Sequence, residues 1–406
     1  MKSNILKSVF ILFVSVLFFT ACEDEPTSLG LENIPDEDKL GLLEINSLEV
    51  PMLQRSDFYN AGSTDTTWNL GTSIRLFVGQ NSSVKSSMLI KFRSNVEDSI
   101  VDYFDSSRIT VEKAWIELRP SYTSGENASA SSFKVSKINN EWTSTFFNKD
   151  SLHQYILPNV SDSRTISGLN DSLISFDISN DMANDWLVSG IKDSSELNYG
   201  LLFEPSGNNS MYGFYSLHES NVVDGYDNIP VAKIVINITG VGLDTLNFYS
   251  IRDVHVVEGN IPVNDESYIY LQGGYPIRAN YYIDVASVPE NSIIIDAVLD
   301  FYFDPNLTIN GSVASNTINL IMYSDSTNRQ LLVGTSIKSL QKDSLGNKYS
   351  GNITPFVQLW NQDKENQGLY VFLPDEQYTM NRVAVYGNKY NDELLRPKLT
   401  IRYTKR

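Results

Sequence analysis

Val111-Glu112-Lys113-Ala114-Trp115-Ile116-Glu117-Leu118 puts Ala114, Ile116 and Leu118 on one side and Lys113, Trp115, Glu117 and Arg119 on the other. Ile294-Ile295-Asp296-Ala297-Val298-Leu299-Asp300-Phe301 repeats this grammar in the second half of the chain. Leu399, Ile401 and Tyr403 alternate in the same way with Lys398, Thr400 and Arg402. A period of two suits antiparallel strands with one buried face. The intervening text, short β-branched and aromatic runs separated by Ser, Asn, Asp and Gly, reads as further strands and turns.

The two stretches belong to a longer repeat. Phe176-Asp177-Ile178-Ser179 and Gly351-Asn352-Ile353-Thr354 each lead into a short helical segment carrying one Trp, Trp186 and Trp360. Tyr199-Gly200-Leu201-Leu202-Phe203 and Gln367-Gly368-Leu369-Tyr370-Val371-Phe372 follow. Each half then closes on a Pro and a final alternating strand, with nearly equal spacing from Gly200 to Pro230 and from Gly368 to Pro397. This predicts an all-β chain of two antiparallel β-sandwich modules, 45–240 and 241–406. Helices are few and short: 181–191, a turn or two within 96–104, and 356–360 behind the cap-and-first-turn pair Thr354-Pro355. Trp186 and Trp360, at equivalent helix positions, are expected in the core; Trp142 fits either a core or a surface role.

The chain has 406 residues, enough for about two or three domains. Asp and Glu outnumber Lys and Arg 49 to 31, a formal charge of −18, which argues against nucleic acid as a partner. One Cys excludes an intrachain disulfide framework and any Cys-based zinc or iron–sulfur site, and three scattered His (His153, His218, His255) argue against a His-rich metal site. The turn at 224–228 is rich in Asp and Asn but lacks EF-hand spacing, so no metal is expected there.

Residues 1–21 have the form of a secretory signal, with Lys2 and Lys7 ahead of an apolar run, Val9 to Phe19, shorter than the roughly 20 residues that span a bilayer. The single Cys, Cys22, directly follows Phe19-Thr20-Ala21. This resembles the lipobox of bacterial lipoproteins, with Phe19 in place of the usual Leu, and implies lipidation of Cys22; a plain secretory signal ending near a Cys is the alternative. Lipid chains would anchor the protein through buried CH₂ groups, about 0.8 kcal/mol each, without a spanning helix. Residues 22–44 read as an acidic, extended tether. Its opening Glu23-Asp24-Glu25 resembles the surface-export signal of Bacteroidota-type lipoproteins, which implies an outer-membrane location on the cell surface.

Ser56 to Phe92, with Asp57, Trp68-Asn69-Leu70-Gly71, Leu76-Phe77-Val78-Gly79 and Met88-Leu89-Ile90-Lys91-Phe92, resembles the opening of the DNRLRE family. Ala114-Trp115-Ile116-Glu117-Leu118 resembles that family's A-x-L-x-L strand, Phe176-Asp177-Ile178 with Trp186 its short helix, and Tyr199-Gly200-Leu201 its late strand. The resemblance covers the first module well and the second only in its later half; the opening of the second, Tyr268 to Val285, aligns loosely, with Arg278 lying where Lys85 does relative to the following strand. It implies jelly-roll β-sandwiches, a fold found beside polysaccharide-degrading enzymes and in carbohydrate-binding modules.

No Gly-x-Ser-x-Gly, His-Glu-x-x-His, P-loop or Rossmann pattern occurs, so no cofactor and no catalysis are expected. A carboxylate pair of the kind that glycosidases use can be drawn from 49 acids but is not pointed to by any motif. Sugar recognition needs an aromatic platform beside polar groups. Trp115, Arg75, Lys91, Arg93 and Arg119 all oppose core-facing positions. On one sheet they would form a basic, aromatic face suited to an acidic polysaccharide such as a uronate polymer; covering by a loop or by the other module is the alternative. The sequence therefore predicts a lipid-anchored, non-catalytic polysaccharide-binding protein. A structural or adhesive lipoprotein contacting other envelope proteins, and a polysaccharide lyase, stand behind it.

Overall fold

The computed structural model describes residues 41–405 apart from 64–69, 126–131, 146, 148–149, 153–155, 166–171, 193–196, 207–208, 223–227, 345 and 363. The leader, Cys22, most of the tether, Trp68-Asn69, His153 and most of the turn at 224–228 lie outside the described residues.

In chain order, β1 (Leu43–Asn46) and β2 (Gln54–Asn60) precede β3 (Arg75–Gln80), β4 (Val84–Arg93), helix α1 (Asp98–Asp105) and β5 (Ile109–Leu118). Next come β6 (Pro120–Gly125), β7 (Ser132–Ile138), β8 (Ile156–Thr165), β9 (Ile174–Ile178) and helix α2 (Asn180–Ile191). Strands β10 (Leu201–Pro205), β11 (Ser210–Tyr215), β12 (Val231–Ile238) and β13 (Gly242–Gly259) follow. The second half holds β14 (Tyr268–Gln272), β15 (Ile277–Ile283), β16 (Ile293–Tyr302), β17 (Thr317–Asp325), β18 (Gln330–Leu331), β19 (Lys338–Lys342) and β20 (Lys348–Asn352). It ends with helix α3 (Thr354–Asn361), β21 (Leu369–Phe372), β22 (Arg382–Tyr386) and β23 (Lys398–Thr404).

The strands form two antiparallel sheets in a sandwich-like arrangement with few short helices, as the alternation predicts. One runs β6-β11-β3-β4-β13-β12-β5-β9, with β10 on β4 and β7, and β8 on β7. The other runs β1-β23-β16-β20-β19-β17-β21-β15-β14-β22, with β2 on β15 and β18 on β17. Ala114, Ile116 and Leu118 are buried in the first core; Ala297, Leu299, Phe301, Leu399 and Ile401 are buried in the second. Trp186 stacks on Phe92 at 5.4 Å inside the first core, and Trp360 packs beside Phe356 in the second.

Local chemistry explains several repeated positions. Ser179 caps α2, its hydroxyl accepting from Met182 N at 3.2 Å. Thr354 is instead the first residue of α3, and its hydroxyl accepts from Ala297 N, so it ties the helix to β16. Gly200 and Gly368 both have positive φ, +95° and +84°. A Cβ there would lie 2.3 Å from Ile90 O and 2.9 Å from Tyr281 O respectively, so each Gly lets its strand close on β4 or β15.

Strand pairing departs from the boundary at 240. The single long strand β13 pairs with β12 along 242–249 and with β4 along 249–259, so this segment completes the first sandwich. In the second sandwich the equivalent places beside β23 and β15 are filled by β1 and β2. The leading segment of each half thus serves the other half. Ser56 and Asp57, within the stretch that resembles the DNRLRE opening, pair with Tyr281 and Asn280 of the second sandwich. Alternation is the same whichever sheet a strand joins, which is why the sequence gives no sign of the exchange.

Candidate functional site

The strands bearing Trp115, Arg75, Lys91 and Arg93 do share one sheet. Their outer surface is not one open face, however, because two different covers close parts of it. Leu89, on the same side as Lys91, packs with Ile138, Trp142, Leu152, Leu202, Val254 and Val256. Trp142 is buried there, its indole donating to Tyr199 O at 2.7 Å. Lys91, 6% exposed, donates to Glu141 at 2.8 Å and lies over the Tyr199 ring. Burial alone would raise the Glu141 carboxyl, but hydrogen bonds from Lys91 and Arg252 outweigh it and hold the group below the usual carboxylate range.

Arg75 turns into the junction between the sandwiches, where its guanidinium donates to Tyr378 O at 2.7 Å and Ser121 Oγ at 3.2 Å. Arg93 is exposed and Arg119 half-buried. Arg93 lies in the row Glu117–Val231–Tyr249–Arg93, three strands and about 14 Å across the sheet from β5. Trp115 is half-buried, its indole donating to Glu117 at 2.7 Å. Lys113 stands 5.3 Å over its ring, so that surface of the ring is occupied. Of the five residues, Lys91 is buried, Arg75 is half-buried and bonded into the junction, and Arg93 stands well apart from Trp115.

A different face combines aromatic and polar groups. On β15, Arg278, Asn280 and Tyr282 point away from the core while Ile277, Ala279, Tyr281 and Ile283 point into it. They pair with Tyr59, Asp57 and Arg55 of β2. On the other side Asn280 pairs with Tyr370 of β21, and Tyr370 and Phe372 pair with Ile321 and Asn319 of β17. The exchange that brings β2 into this sheet therefore supplies Arg55 and Asp57 to the polar wall. Between these strands and the turn after β17 lies a cleft of about 490 Å³, lined by Arg55, Asp57, Asn280, Tyr282, Tyr323 and Gln367 among others.

The cleft is pre-organised. Tyr323 donates to Asn280 Oδ1, and Asn280 Nδ2 donates to Asp57 Oδ1, which fixes the amide orientation. Arg278 forks onto Glu376 at 3.0 and 2.5 Å while lying 5.7 Å from the Tyr370 ring centre, and Tyr370 and Phe372 are 5.1 Å apart. Arg329 sits 3.6 Å from the centre of the Tyr59 ring. Burial raises the phenols of both Tyr59 and Tyr323, so they stay protonated and act as donors. Alternation at Arg55-Asp57-Tyr59 and Arg278-Asn280-Tyr282 was the available signal for this site, but the pairing of two segments more than 200 residues apart was not readable from it.

Among the described residues there is no cluster of three or more His, Cys, Asp or Glu that could hold a metal, and no helix is long and apolar enough to cross a membrane. No family model matches the chain, and no curated protein matches it. Among solved structures it is similar, at 8% identity and a TM-score of 0.16, to the Streptococcus agalactiae AgI/II polypeptide BspA C-terminal domain, covering 83% of this chain and 92% of that one. The infectious bursal disease virus Gx strain structure gives 11% identity and a TM-score of 0.13, with 92% and 79% coverage.

Proposed function

We propose that the protein binds polysaccharide outside the cell, tethered to the outer membrane through lipid on Cys22, and that the cleft of the second sandwich is the binding site. One observation carries the reading: a single sheet face joins Tyr59, Tyr282 and Tyr370 to Arg55, Asp57 and Asn280, and Gln367 lines the cleft beside it. Sugar rings offer apolar faces to aromatic side chains and hydroxyls to planar polar groups, and this face supplies both. The protonated phenols favour binding over proton abstraction, which sets the lyase reading behind it.

The test is affinity electrophoresis of residues 23–406 in gels cast with a panel of neutral and acidic polysaccharides. Retardation by at least one polymer is expected. Tyr282→Ala and Asn280→Ala should abolish it while Trp115→Ala leaves it intact. Replacing Cys22 with Ser in the full chain should release it from membranes. A folded protein retarded by none of the polymers would favour a structural or adhesive role against other envelope proteins.

A further inference from the structure

We infer that the cleft takes uncharged sugars in preference to acidic ones, and that Asp57 sets this choice by accepting the proton of a sugar hydroxyl; this rests on the glycan-binding reading above. The basic strands of the first sandwich suggested an acidic polymer, but the charges that line the cleft are the carboxylates of Asp57 and Glu266 against the guanidinium of Arg55. Glu266 is already engaged, accepting from Lys389 Nζ at 2.5 Å and from Asn388 Nδ2 at 2.9 Å. These bonds hold its carboxyl below the usual range, so it stays ionised. Asp57 and Arg55 are both exposed and stand two residues apart on one side of β2, about 7 Å along the strand.

Asp57 is held in place but only half used. Its Oδ1 accepts from Asn280 Nδ2, and Asn280 Oδ1 accepts from Tyr323. Asp57 Oδ2 has no donor among the described residues. Gln367 is its complement: Oε1 accepts from the amide and the hydroxyl of Ser326, at 3.4 and 3.0 Å, and Nε2 has no acceptor among the described residues. The cleft therefore presents a free carboxylate oxygen and free N–H donors together. A hydroxyl donates and accepts at once, so neighbouring hydroxyls of a neutral sugar satisfy both kinds of group. A carboxylate or sulfate only accepts. It leaves Asp57 Oδ2 unmatched and brings its charge against the like charges of Asp57 and Glu266. The effect is local, because charges farther away than about 8 Å are largely screened at physiological ionic strength, which discounts the formal charge of −18 spread over the whole chain.

Affinity electrophoresis of residues 23–406 at physiological salt decides the matter. Each uncharged polymer of the panel is compared with its hydroxyethyl and carboxymethyl derivatives, which differ in charge at similar bulk, and the native acidic polymers are run beside them. A hydroxyethyl form should bind about tenfold more tightly than the matching carboxymethyl form, the size of one hydrogen bond to a charged group. Asp57→Asn, which keeps an acceptor for Asn280, should remove most of that difference. Asp244→Asn makes the same change of charge at an exposed position of the first sandwich and should leave the difference intact. No difference between the two derivatives, retardation by the native acidic polymers alone, or an Asp57→Asn protein that discriminates as the parent does would overturn this inference and leave glycan binding standing. Equal loss of discrimination in Asp244→Asn would trace it to overall charge and overturn the inference as well. A folded protein retarded by no polymer at all would overturn both readings.

Discussion

Tyr122 of the first sandwich donates its phenolic hydrogen to Asn381 Oδ1 of the second at 2.8 Å, and the same oxygen accepts from Gly311 N at 2.7 Å. The Tyr122 hydroxyl in turn accepts from Met380 N at 3.3 Å. Around this bond Phe77, Val84, Met211 and Met380 form a buried cluster that both sandwiches share, and Thr123 and Ser312 add backbone pairing at 2.7 Å. Burial pushes the Tyr122 phenol well above its ordinary range, so the donor is kept at any pH the fold survives.

Tyr122→Phe leaves Met380 N buried without its partner and should cost about 1–3 kcal/mol. Gly311→Ala should cost more, because a Cβ there would stand 2.2 Å from the Tyr122 ring. Urea unfolding followed by tryptophan fluorescence measures both. A Phe variant as stable as the parent would mean that the junction is held by apolar contact alone.

The strand exchange predicts which fragments fold. A fragment of residues 45–240 lacks β13, so β4 and β12 lose their common neighbour and Phe248 is missing from the core. It should show no cooperative thermal transition by circular dichroism, whereas 64–262, which restores that strand, should melt cooperatively. The reverse order of stability would refute the pairing.

Two buried groups on β13 should oppose each other as pH changes. Burial lowers His255 to about 3 and raises Asp253 to about 7. Between pH 3 and 6.5 the unfolded chain holds the extra proton on His255, so that residue's contribution weakens as pH falls. Between pH 3.8 and 7 the folded chain holds the extra proton on Asp253, so its contribution weakens as pH rises. From about 4 to 6.5 the two slopes cancel. Relative to the parent, His255→Phe should lose stability as pH rises through this window and Asp253→Asn should gain it. Each slope should approach 1.4 kcal/mol per pH unit at most. Denaturant midpoints at pH 4.5, 5.5 and 6.5 check the signs; parallel curves for all three proteins would show that neither group titrates as its burial implies.

Much of the fold was legible because it depends on local spacing. Helices α1, α2 and α3 fall where the segments 96–104, 181–191 and 356–360 were expected, and Trp186 and Trp360 are core residues in both halves. The candidate site was less legible. Lys91 and Trp115 alternate identically with their neighbours, yet one is covered by the Glu141–Trp142 segment and the other is half-exposed. Alternation tells which residues oppose the core and says nothing about what lies on the far side of the sheet.

By itself the sequence determined the strand period, the antiparallel class, the short capped helices and the recurrence of Gly200 and Gly368 at equivalent strand starts. These follow from interactions between residues close in the chain or from a repeated pattern. Only the tertiary structure decided that β1 and β2 complete the second sandwich and β13 the first, and that Asp57 and Asn280 meet in one cleft. Such pairings join segments far apart in sequence, and the hydrogen-bonding edge of a strand is the same for every partner, so the choice rests on which cores close best when all the strands are packed together.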